Sequence, residues 1–247
     1  MGLAGLVFGE NRVMSHFNRN AKFSQIEIPG IIPLMTLPNT VLFPQAMIPM
    51  HIYEPRYKAM LEDIMPQSRF FALALQNKEL SDVSGLVEPP HLTACVGMVR
   101  ACQKNDDGSS NLILQGLVRV RIKRIIEEDP YRKVEISPLK TGNSDALSGN
   151  DAMMDIRNLI IERSDYFEEL PPAFRHFIDS VQDMEAFVDV MSYTLCHDII
   201  EKQSLLENLD ASGRAKQLLD WLKRDIDKKA LDKELQGNLS DDRIGLN

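Results

Sequence analysis

Apolar positions along the chain fall into two regimes. Between Ile28 and about Leu139 they come as short runs separated by turn residues, which is the pattern of strands. The runs are Ile31 to Leu37, Met47 to Ile52, Arg69 to Gln76, Leu92 to Cys102, Asn111 to Gly116, Leu117 to Ile126 and Tyr131 to Leu139. The stretch Lys104 to Ser109 is built of Asn, Asp and Gly, which tolerate positive φ, and predicts a hairpin turn. One helix is predicted among the strands. Pro55 suits a first helical position, Glu54 sets a carboxylate at the positive end of the helix dipole, and Tyr57, Met60, Leu61 and Ile64 recur at helical spacing until Pro66.

Beyond the polar linker Thr141 to Asp145 the apolar period changes from two to 3.6. Met153, Ile156, Leu159 and Ile160 form one stripe, Met184, Phe187, Val188, Met191, Leu195 and Ile199 a second, and Leu218, Leu219, Leu222 and Ile226 a third. The expected organisation is a flexible N-terminal arm (1–27), a β-rich domain (28–140), a helical bundle (150–224) and a charged, fraying extension (225–247), an α+β chain overall.

Composition narrows the classes of function. The chain has 247 residues, enough to bury a sizeable core, and 44% of them are hydrophobic against 26% charged, as in an ordinary globular protein. No apolar run is long enough to predict a membrane-spanning helix. Of 28 basic and 36 acidic side chains, residues 1–150 hold 16 and 15, leaving 12 and 21 for the remainder, so the acidity lies in the helical half and disfavours nucleic acid as the main partner. Cys95, Cys102 and Cys196 suit neither a disulfide framework nor a thiolate zinc site, which with an N-terminus lacking a secretory pattern leads us to expect a cytoplasmic protein.

Candidate chemistry is sparse. There is no phosphate-cradling G-x-x-x-x-G-K-[ST], nucleophile elbow, H-E-x-x-H or G-x-G-x-x-G. Cys196 and His197 are adjacent but, on a helix, neighbours point about 100° apart, so a buried structural thiol is the expectation. His51 and Glu54 read as a hydrogen-bonded corner rather than metal ligands, and Glu127, Glu128 and Asp129 before Pro130 as a solvated turn. No metal or cofactor is expected. Alternation along Arg119-Val120-Arg121-Ile122-Lys123 puts three cations on one sheet face, which could follow a nucleic-acid backbone or be solvated and ion-paired.

Several segments together resemble one family. Leu37-Pro38-Asn39-Thr40-Val41-Leu42-Phe43-Pro44 and Ile48-Pro49-Met50-His51-Ile52-Tyr53-Glu54-Pro55-Arg56-Tyr57 resemble the opening of the Lon protease N-terminal, substrate-binding domain. Cys95 to Val99, Leu114 to Ile122 and Glu201 to Glu207 are similar to its later strands and its E-K-Q-x-L-L-E helix, so the resemblance spans about Ile31 to Arg224. It implies a PUA-like pseudo-barrel followed by a helical bundle. It also implies a non-enzymatic, polypeptide-binding protein, since neither an ATPase nor a Ser-Lys peptidase module is in this sequence. Such a protein would present exposed or unfolded clients to a protease or chaperone as a proteolysis adaptor. The alternative is a PUA-like RNA-binding module using Arg119, Arg121 and Lys123; an unrecognised small-molecule hydrolase is a third reading.

The expected site is the cleft between the two halves, edged by the loop Asn39 to Gln45, with Leu42, Phe43 and Pro44 as its contact residues. Phe43 either caps the core or projects from it. Arg56 is expected to anchor the corner by hydrogen bonds, and Gly116 to mark a bulge or a close approach of backbone.

Overall fold

The computed structural model describes residues 27–163, 165–167, 174 and 178–237. All but the last residue of the expected arm, and the last residues of the expected extension, therefore lie outside the described residues. Six strands, β1 (Ile31–Leu37), β2 (Met47–Ile52), β3 (Phe70–Leu75), β4 (Thr93–Lys104), β5 (Ser110–Glu127) and β6 (Lys133–Pro138), alternate with helices α1 (Pro55–Ile64) and α2 (Lys78–Ser84). Among the described residues, these longer helices follow: α3 (Ala146–Glu162), α4 (Met184–Leu195), α5 (Ile199–Glu207) and α6 (Ala211–Gly237).

The sheet closes on itself. β1 runs parallel to β3, and β3–β4, β4–β5, β5–β6 and β6–β1 are antiparallel, so the pairings form a ring. The ring encloses a core of Ile32, Leu34, Phe70, Ala72, Val96, Val120, Ile122, Val134 and Ile136. β2 stands outside it, paired with the first half of β5 from Ser110 to Gln115, while the second half of β5 pairs with β6. The two runs expected on either side of Gly116 are thus one strand serving two neighbours. The hairpin turn is as expected, with the Asn105 amide donating to the Ser109 carbonyl and Gly108 at φ +77°.

Gly116 explains why the strand can change partners. The loop after β1 crosses β5 there: the Gln45 amide donates to the Gly116 carbonyl and the Gly116 amide to the Ala46 carbonyl. A Cβ at 116 would lie 2.0 Å from the Phe43 carbonyl oxygen, so only glycine permits the crossing.

A helix that the apolar pattern does not predict is α2, which buries none of its side chains. Its ends were nonetheless written in the sequence: Asn77 caps it by accepting from the Leu80 amide, and Gly85 closes it at φ +68°. In the helical half the three stripes are buried as read, apart from the half-exposed Leu159 and Ile199. The last helix does not stop near Arg224. It runs to Gly237, with Ile226 still 1% exposed and the turns beyond it bare.

The halves are joined by packing as well as by chain. One continuous core contains Met35, Leu73, Leu75 and Cys95 from the outer face of the sheet together with Ile156, Phe187, Met191, Leu205 and Leu218 from the helices. The polar linker is strapped down: the Gly142 amide donates to the Leu209 carbonyl, the Ala211 amide to the Gly142 carbonyl, and the Ser144 hydroxyl to Asp210.

Candidate polypeptide-binding surface

A cleft of about 420 Å³ runs along β2. Alternation turns Ile48 and Ile52 into the core and leaves Pro49 and His51 exposed, with Met50 half-buried between them. Opposite walls come from Met35 and Leu37 of β1, Tyr57 of α1 and Tyr193 of α4, and Tyr53 stands at the rim, 64% exposed. The lining is mostly apolar and aromatic, with His51 and Glu54 as its charged or chargeable members. Burial raises the Tyr193 phenol's pKa. The Tyr57 hydroxyl is spent on the β1 backbone, donating to the Thr36 carbonyl and accepting from the Thr36 amide.

Beside the cleft lies a second apolar surface. α2 and the loop after it expose Val83 (89%), Val87 (75%), Leu86 (55%) and Leu92 (49%). Arg56 fastens this loop to the cleft, donating to Glu54 at 2.9 Å and to both oxygens of Glu88 at 2.6 and 3.1 Å. The hydrogen bonds to Glu88 raise the Arg56 pKa against the opposing effect of burial, and Arg56 in turn holds the Glu88 carboxyl below its ordinary range. The corner expected of Arg56 is there, and it spans further than the neighbouring residues suggested. The sequence signal for this surface was weak, because a run such as Leu80 to Val87 has no period that separates a buried face from an exposed one.

The residues expected to meet a ligand are placed elsewhere. Leu42 and Phe43 are 0% exposed and Pro44 is buried, so this loop gives its side chains to the core and offers no contact surface from them. The reason is the crossing at Gly116: a loop bonded flat onto β5 must turn its apolar residues inward. A cavity of about 220 Å³ does lie at the junction of the two halves and is edged by Pro44 and Gln45, but its floor is charged, made by Arg119, Asp183, Glu185 and Asp189.

Arg119 corrects the three-cation face. Arg119 shares a sheet face with Arg121 and Lys123, but the helices cover it until it is 1% exposed. Its guanidinium donates to both oxygens of Asp189, at 2.7 and 2.6 Å, and to the Leu206 carbonyl at 3.0 Å. Burial opposes its charge, but the hydrogen bonds and charge of Asp189 outweigh this and raise its pKa. Arg214, 0% exposed, approaches the same carboxylate at 3.0 Å, and burial lowers its pKa. A guanidinium so enclosed cannot reach a phosphate. Arg121 lies by the Thr93 hydroxyl at 3.4 Å, and Lys123 shares Glu135 with Arg124, at 3.4 and 2.7 Å.

The other candidates are structural. Cys196 is enclosed and its thiol is pushed up to about 12 by burial, which leaves almost no thiolate. His51 is bonded across the ladder to Asn111 at 2.8 Å. Among the described residues no cluster of His, Cys, Asp and Glu could hold a metal, and no helix is long and apolar enough to cross a membrane.

A ring of strands with an external strand, docked on a helical bundle and bearing an open apolar cleft, defines a two-part α+β fold. Residues 31–224 match the family of the ATP-dependent protease La (LON) substrate-binding domain, and the chain belongs to that family. It is 25% identical over 219 residues to Lon protease 2 of Myxococcus xanthus, covering 87% of this chain and 26% of that protein, and 25% identical over 238 residues to Lon protease of Syntrophus aciditrophicus, covering 92% and 29%. The chain thus spans about a quarter of the length of these relatives, and aligns with their N-terminal region rather than with ATPase or peptidase regions. Among solved structures it is similar to the N-terminal domain of a Mycobacterium avium complex Lon protease, with TM-score 0.61 and 14% identity over 78% of this chain and 98% of that one. A Lon N-terminal domain protein from Xanthomonas campestris gives TM-score 0.56 and 21% identity over 78% and 98%. These likenesses support the fold.

Proposed function

We propose that this chain recognises exposed or unfolded polypeptide through the cleft along β2 and performs no catalysis itself, handing its clients to a protease or chaperone. The observation that carries the reading is the cleft: about 420 Å³, open, lined by Met35, Leu37, Met50, Tyr53, Tyr57 and Tyr193, and flanked by the bare apolar loop of α2, in a chain of a substrate-binding family. Methionine and tyrosine adapt to varied apolar side chains, which suits recognition of many sequences rather than one. The nucleic-acid alternative loses Arg119 to Asp189 and meets a chain of net charge −8. Fluorescence anisotropy with a labelled, reduced and carboxymethylated unfolded protein tests the proposal. Saturable binding that survives high salt is expected, because apolar burial is not screened. Failure to bind any unfolded chain, or tight and steeply salt-sensitive binding of single-stranded RNA instead, would overturn it.

A further inference from the structure

The external strand β2 uses only one of its two edges. Its pairing with β5 runs from Met47 opposite Gln115 to Ile52 opposite Ser110, and among the described residues no other backbone group bonds to Met47 through Ile52. Three observations fix which residues face the free edge. Just before the strand, the Gly116 amide donates to the Ala46 carbonyl at 2.9 Å, making Ala46 a hydrogen-bonded position; counting in twos, so are Ile48, Met50 and Ile52. Pro49, which has no amide hydrogen, falls in the other set, as a proline on an edge strand should. His51 and Asn111 are close enough for a side-chain bond of 2.8 Å, as befits a non-hydrogen-bonded pair. Met47 and His51 therefore each turn a donor and an acceptor outward, and Pro49 an acceptor alone.

We infer that this edge pairs with the backbone of an extended client segment, so that polypeptide is captured as an added strand on β2 with some of its side chains lodged in the adjoining cleft. The inference rests on the polypeptide-binding reading and says how that site reads its ligand. An alternating row of backbone donors and acceptors is complemented by another extended backbone, and that recognition is indifferent to client sequence, as an unfolded-chain receptor requires. The strand is only lightly guarded: apart from Pro49, Met47-Ile48-Pro49-Met50-His51-Ile52 carries no lysine, aspartate or glutamate, the charged side chains that ordinarily blunt a free edge. Pairing with a second copy of this chain is less well matched. A two-fold pairing across the outward positions would set Pro49 against Pro49 and lose both bonds there, whereas a foreign strand loses one.

The test uses the full chain and a short fluorescein-labelled peptide of alternating valine and threonine, with a twin N-methylated at every residue so that neither edge of its backbone can donate. The unmodified peptide is expected to bind at least roughly tenfold more tightly than the twin. Hydrogen exchange at the Met47 and His51 amides should be fast in the free protein and slowed when peptide is bound. Equal binding of the two peptides, or unchanged exchange at both amides with peptide bound, would overturn edge capture while leaving polypeptide binding intact. Exchange that slows with rising protein concentration in the absence of peptide would overturn it in favour of self-pairing. Absence of binding by either peptide and by unfolded protein would remove both readings.

Discussion

Replacing Asp189 with asparagine should cost more stability than any other single change at the junction of the two halves. The carboxylate is 0% exposed and faces two guanidinium groups, Arg119 at 2.6 Å and Arg214 at 3.0 Å, themselves 1% and 0% exposed. Asparagine keeps the size, but it removes the counter-charge and turns an NH2 group toward donors. The remaining carboxylate within reach of Arg119 is Glu185 at 4.0 Å, 45% exposed and weakened by solvent. Breaking a buried pair from one side costs about 3–5 kcal/mol because a charge is left enclosed without a partner. For a chain of this size that corresponds to a melting temperature lower by roughly 6–20 °C. Arg119→Met should cost less, because it leaves Asp189 paired with Arg214 and removes a cation together with its burial penalty. Thermal and urea denaturation followed by circular dichroism would measure both. An Asp189→Asn variant melting within roughly 2 °C of the parent, or an Arg119→Met variant less stable than it, would refute this account of the cluster.

Further outcomes follow from single features. Gly116→Ala places a Cβ 2.0 Å from the Phe43 carbonyl oxygen, which a backbone cannot yield cheaply, so a loss of about 2–3 kcal/mol or failure to accumulate as folded protein is expected in the same denaturation assay. The Glu88 carboxyl lies below its ordinary value of 4.5 chiefly through hydrogen bonds from Arg56. Its stabilisation is therefore complete above that value and lost as pH falls through the lower folded value, and Arg56→Met should flatten the fall in stability seen there. Cys95 and Cys196 are both enclosed and both pushed up to about 12, so brief native treatment with a thiol reagent should modify the half-exposed Cys102 and leave the other two, as intact mass and peptide mapping would show.

Much of the fold is legible because burial wrote it twice, once as alternation and once as helical stripes. Ile31 to Leu37 and Met47 to Ile52 begin and end in the structure where their apolar runs do. What escaped the pattern lacked a buried face or was hidden by a covering element. Helix α2 buries nothing and was marked only by Asn77 and Gly85. Arg119 has the alternation of a surface cation, and nothing in its own strand announces that Asp189, seventy positions away, will enclose it. The proline-flanked loop illustrates the same limit from the other direction. Leu42 and Phe43 look presentable beside Pro38 and Pro44, yet a glycine on another strand draws the loop flat and turns them inward. The cleft combines Met35, Met50 and Tyr193 from the ring, the external strand and a helix, a neighbourhood that only the tertiary fold creates.

Tyr53 offers the most direct test of polypeptide capture at this cleft, since it stands at the rim, 64% exposed, and stacks on His51 with ring centroids 6.0 Å apart, so that Tyr53→Lys alters the site with little effect on the core. Anisotropy titration of a labelled unfolded polypeptide should show the variant binding about tenfold more weakly than the parent, with an unchanged melt. Undiminished binding by a well-folded Tyr53→Lys protein would contradict the placement of the client along β2.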